Sequence, residues 1–90
     1  HALDAGKDIA QAVVARRRLG QKEVRELEQL PARLERIEAR IAALVARAQD
    51  PAFYRADGAA IAAHHAELAA AQAELAAAYA RWEALEDAAS

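Results

Sequence analysis

The sequence contains no cysteine and no methionine, only three glycines and two prolines, and four aromatic residues in 90. Without cysteine, neither a disulfide nor a thiolate zinc site can form. Ninety residues make one domain at most, and so few aromatics cannot fill a thick globular core. No uninterrupted apolar run reaches the length of a membrane span and no segment reads as a signal peptide, so a cytoplasmic location without a membrane partner is expected. No glycine-rich phosphate loop ending in Lys-Ser/Thr is present, so the segment holds no nucleotide-hydrolysing machinery. The one serine is Ser90, and no serine–histidine or paired-carboxylate arrangement has a pocket to sit in. His64 and His65 are adjacent and point to different helix faces, which argues against a metal site. No catalytic residue, metal or cofactor is expected in this domain.

Alanine makes up about a third of the chain. It suits the thin seam between two close helices better than a globular interior. The formal net charge is −2, but the charge is unevenly spread. Residues 1–25 carry six basic and three acidic side chains, whereas residues 26–90 carry six basic and eleven acidic ones. Arg16, Arg17 and Arg18, followed by Lys22 and Arg25, form the one dense basic cluster. Arginine outnumbers lysine ten to two, a bias which, with so much alanine, suits a GC-rich bacterial genome.

Leu27, Leu30, Leu34, Ile37, Ile41 and Leu44 step by three and four, the seam of a coiled coil. The spacing predicts a helix over 21–48, with Leu27, Leu34 and Ile41 at heptad position a and Leu30, Ile37 and Leu44 at d. Pro31 falls at e. It removes one helical hydrogen bond and crowds the preceding turn, so a kink or local bulge is expected there rather than a break, because the heptad phase continues unchanged. Asp50-Pro51 is a stop followed by a new start. Residues 49–58 then form a hairpin tip, with Phe53 and Tyr54 folded inward and Asp57 capping the next helix. The second helix is expected over 58–87, with Ile61, Leu68, Leu75 and Trp82 at a and His64, Ala71, Ala78 and Leu85 at d. So short a connection makes the helices antiparallel neighbours. The fold class is therefore all-α: an antiparallel two-helix coiled-coil hairpin over 21–88. It is preceded by a basic lead-in over 1–20, flexible or holding a short helix near 8–18 around Ile9, Val13 and Val14.

Two registers compete. One pairs Leu27 with Leu85, Leu30 with Trp82 and Ile37 with Leu75, and makes Arg33 face Arg81. The other, with a slightly poorer core, pairs Glu26 with Arg81, Arg33 with Glu74 and Arg40 with Glu67. Exposed ion pairs contribute about 0.2–1 kcal/mol each, less than the burial of a large apolar side chain, so the first register is preferred. The outward positions of the second helix are nearly all alanine and offer phosphates no ionic grip. The e edges, with Val24, Val45 and Tyr79, form an apolar flank on which the Ile9/Val13/Val14 segment can dock.

The stretch Leu19-Gly20-Gln21-Lys22-Glu23, Arg25-Glu26-Leu27-Glu28, Leu30-Pro31-Ala32-Arg33-Leu34-Glu35, followed by Asp50-Pro51-Ala52-Phe53-Tyr54 and the ending Tyr79-Ala80-Arg81-Trp82-Glu83, resembles the C-terminal domain of Uup-type ABC-F ATPases over roughly residues 18–87. The resemblance implies a cytoplasmic parent with two tandem ATP-binding cassettes, using ATP and Mg outside this domain. It also implies a terminal coiled-coil hairpin reached through a basic linker and associated with DNA binding, in a wider family whose members act on the ribosome. Where the family's linker is lysine-rich, this chain has Ala15-Arg16-Arg17-Arg18-Leu19-Gly20.

The candidate nucleic-acid-binding residues are Arg16, Arg17, Arg18, Lys22, Arg25, Arg33, Arg36 and Arg40. Basic side chains so placed neutralise phosphates and release counterions. The plainer account is a solvated basic helix start, with Arg33, Arg40 and Arg47, seven residues apart, pairing across the seam with Glu67 and Glu74. Tyr79 and Trp82 suit base stacking but fit core packing better. The expected partner is DNA without sequence specificity. Ribosomal RNA, or a structural arm contacting the parent cassettes or another protein, are the alternatives, and the sequence leaves monomer or dimer open.

Overall fold

The computed structural model of the protein describes residues 19–90. The lead-in, with its expected helix near 8–18 and with Arg16, Arg17 and Arg18, lies outside the described residues. Helix α1 spans Gln21–Gln49, a 3-10 turn spans Pro51–Arg55, and helix α2 spans Gly58–Ala89. The two long helices lie side by side as a hairpin, about 44 and 48 Å long at 1.5 Å per residue.

Helix α1 continues through Pro31 without a break. An interior proline costs about 3 kcal/mol. Leu30 and Leu34 flank it and are buried, with Leu27 packed against them, and burial of such side chains offsets that cost at about 1.5–3 kcal/mol each. At the start of α1 a Cβ on Gly20 would meet the Glu23 carboxylate folded back over the helix N-terminus.

The tip is built by its two aspartates. The Asp50 carboxylate accepts from the Ala52 amide at 2.9 Å, and Asp57 accepts from the Ala60 amide at 2.7 Å, the side-chain caps expected of Asp at these positions. Phe53 turns inward and meets the His64 ring edge-on, with centroids 4.6 Å apart. Tyr54, expected to fold inward as well, is 66% exposed. Consecutive residues of a 3-10 turn point about 120° apart, so only one of the pair can face the seam.

The seam follows the heptads. The d residues Leu30, Ile37 and Leu44 of α1 and His64, Ala71, Ala78 and Leu85 of α2 are all buried. Most a residues are half-buried at the edges, Leu34 being buried. His64 is the one polar group among the buried residues described. Its Nε2–H donates to the Leu44 carbonyl at 2.8 Å, while Nδ1 is buried without a partner.

Both expected registers leave their mark on the edges. Arg81 grips Glu26 through two hydrogen bonds of 2.7 and 2.9 Å, and Arg40 reaches Glu67 at 3.3 Å. These belong to the charge-led register. Arg40 also approaches Glu74 at 3.8 Å, the pairing of the apolar-led register, and Tyr79 donates to Glu38 at 2.8 Å. The preferred register placed Arg33 against Arg81. The structure instead gives Arg81 to Glu26, because side chains of the two helices interleave and a long arginine can reach the turn above or below.

Two outcomes test this packing. Leu30 is 1% exposed, so Leu30→Ala should lower the unfolding free energy by about 3 kcal/mol, as such truncations do in close-packed cores, in urea titrations followed by circular dichroism. The Arg81 hydrogen bond holds the Glu26 carboxyl below its ordinary value. A depressed folded-state pKa gives stability that is complete above the ordinary carboxylate range and lost as pH falls through the lowered value. The melting-temperature gap between the wild type and Glu26→Gln should therefore close at strongly acid pH, and it should narrow in high salt.

Candidate nucleic-acid interface

An α-helix turns 100° per residue and rises 1.5 Å. On a continuous α1, Lys22, Arg25, Arg33, Arg36 and Arg40 therefore fall within a sector of about 80° and along about 27 Å. All five are exposed. The continuity of the helix through Pro31 is what aligns Lys22 and Arg25 with the three arginines beyond it. Arg47 continues the same sector. It is exposed and is the third of the g residues that the heptad spacing sets seven apart.

The glutamates of α1 lie elsewhere. Glu28 and Glu35 flank the sector on its outer side, about 60° and 80° beyond Arg25 at 100° per residue, and Glu38, opposite the sector, accepts from the Tyr79 hydroxyl. That bond raises the phenol above its ordinary value. Glu26 borders the basic sector at its other edge, about 20° from Arg33, and its carboxylate is held by Arg81 from α2. The same contact raises the Arg81 guanidinium.

The five cations are not equivalent. Arg40 is bound between Glu67 and Glu74, as the plainer account of the g row expects. Arg33 makes no ion pair among the described residues, because Glu74, its expected partner, lies with Arg40. Lys22, Arg25 and Arg36 are likewise unpaired among the described residues. The structure thus brings together four free cations and one bridged cation on one face, and Arg16, Arg17 and Arg18 lie beyond its described start. Trp82 is packed against the core cluster and its indole N–H donates to Glu86 at 3.2 Å, so it serves the seam rather than a stacking platform.

Among the described residues no group of histidines and carboxylates is placed to hold a metal ion, and no helix is long and apolar enough to cross a membrane. The back of α2 presents alanines and no cation comparable to the α1 face.

A family model described as ABC transporter C-terminal domain matches residues 18–87. No curated protein and no solved structure gives a significant match. The matched stretch takes in the whole hairpin, from the residue before Leu19 to the last turn of α2, and includes every residue that carries the resemblance to ABC-F proteins. The chain belongs to the ABC transporter C-terminal domain family.

Proposed function

We propose that this domain is a non-catalytic nucleic-acid-binding module of an ABC-F ATPase, and that it holds DNA by its phosphates without reading sequence. The observation that carries the reading is the exposed row of Lys22, Arg25, Arg33 and Arg36 in one sector of α1, with no salt bridge to any of them among the described residues and with the bordering Glu26 held by Arg81. A rigid row of cations along a helix suits the regular phosphates of a duplex. Arg16, Arg17 and Arg18 lie just ahead of it in sequence and would extend the contact. ATP and Mg would act in the parent cassettes of a cytoplasmic bacterial protein, outside this domain.

Binding through phosphates has a measurable signature. Nonspecific dissociation constants lie at about 10⁻⁴–10⁻⁶ M at physiological salt, and log K falls by about 0.9 per phosphate neutralised for each tenfold rise in salt. Replacing Lys22, Arg25, Arg33 and Arg36 by glutamate should abolish duplex binding in fluorescence anisotropy at low salt while leaving the helical circular dichroism intact. Arg55→Glu at the tip should leave the affinity unchanged. Equal binding by the quadruple variant would refute the reading. Structured RNA bound far more tightly than duplex DNA would move the function to RNA.

A further inference from the structure

At the end where α1 begins and α2 ends, a hollow of about 230 Å³ lies between the helices, lined by Val24, Leu27, Glu28, Pro31, Trp82 and Glu86. A second, of about 270 Å³, shares Trp82 and Glu86 and is completed by Tyr79, Glu83 and Asp87. Each is smaller than the ~300–1,000 Å³ of a small-molecule site, a size for one or two side chains. The walls are apolar and accessible: Val24, Leu27 and Trp82 are half-buried, Pro31 is exposed, and Tyr79 is 46% exposed. The polar ends of the two rings are already held, the indole N–H by Glu86 and the phenol by Glu38. What the rings offer an occupant is apolar surface. The rim is acidic. Glu28, Glu83, Glu86 and Asp87 are exposed, and none of them makes an ion pair among the described residues.

We propose that this trough docks a helical segment of a partner protein that carries a short apolar stripe flanked by arginines. The charge selects the class of occupant. Four carboxylates repel nucleic-acid phosphates and an anionic lipid surface, and they oppose a second copy seated trough to trough, where like would face like. The basic row of a second copy brings no large apolar side chain, because the leucines of α1 lie in the seam. Arginine suits the site best, since its guanidinium pairs with carboxylates in a fork and stacks on aromatic faces. The shape selects a helix. Val24 to Pro31 runs about 10 Å along α1 and Tyr79 to Asp87 about 12 Å along α2, two turns in each case. A helix lays its apolar face into such a groove through residues three and four apart. The trough is also separate from the basic sector, since Val24, Leu27 and Pro31 lie about 140–200° around α1 from Lys22. The docking does not depend on the nucleic-acid reading, and its test uses no nucleic acid.

Trp82 is the only tryptophan and lines both hollows, so its emission reports the docking. The probe is a blocked peptide of about 15 residues, long enough to turn helical on binding, with leucines at three- and four-residue spacing, arginines beside them and no aromatics. Added to the full chain, it should move the emission to shorter wavelength and saturate. It should also shift the indole N–H and the amides of Val24 and Leu27 in NMR spectra. The same peptide with glutamate in place of arginine should leave both unchanged. Glu28→Lys should weaken binding by roughly fivefold or more, and adding Glu83→Lys should abolish it, with helical circular dichroism intact. Glu35→Lys makes the same charge change on the same side of α1, two turns beyond Glu28, and should alter the affinity by less than about twofold, because exposed charges that far apart are largely screened. Absence of a saturable change, equal binding by the acidic peptide, or equal weakening by Glu28→Lys and Glu35→Lys would overturn the proposal. So would an emission shift with protein concentration alone, which would assign the trough to a second copy.

Discussion

Two alanines fix how close the helices come. Ala71 and Ala78 are 0% and 1% exposed, and they sit in the same seam as Leu30, Leu34 and Ile37. A small side chain on one helix leaves room for a large one from the other, so the rod packs at good density with few bulky residues. The arrangement depends on d positions: they are buried along both helices, and most a positions lie at the rims. A core this thin makes each large side chain count. A short capped tip keeps the closure cost low, because only a few residues must be ordered to bring the helices together.

The seam also sorts the charges. Once the d rows face each other, the g edges are adjacent, and Glu26, Glu67 and Glu74 meet Arg81 and Arg40 there. Each exposed pair is worth about 0.2–1 kcal/mol, too little to hold the hairpin but enough to choose between near-equal alignments. Glu26, the acid nearest to Lys22 and Arg33 on the basic face, is thereby held by Arg81. Lys22, Arg25, Arg33 and Arg36 are left exposed. Structure and proposed function thus share one cause, since the pairing that sets the edges also clears the binding face.

Much of this was legible in the residues. The step of three and four from Leu27 to Leu44 located α1, and its unchanged phase across Pro31 foretold a continuous helix. Asp50-Pro51 and Asp57 marked the tip, and the motif around Pro31 pointed to the family that the matched residues 18–87 confirm. The register was not legible. Two alignments differing by a heptad bury similar apolar area, and the outer alanines of α2 blur the contrast between its faces. Arg33 shows the consequence, since its expected partner Glu74 lies with Arg40. Tyr54 was misplaced because adjacent apolar residues in a turn look alike in sequence while the turn's geometry separates them. The basic sector needed the full helix, because residues 22, 25, 33, 36 and 40 look scattered until wound at 3.6 per turn.

The central claim is that one face of α1 meets the phosphates. Chemical-shift mapping of the full chain with a short duplex at low salt tests it most directly. The account predicts shifts concentrated at Lys22, Arg25, Arg33 and Arg36, with the alanine back of α2 and the Tyr54 tip unmoved. Shifts centred on α2 or the tip, or none along α1, would contradict it.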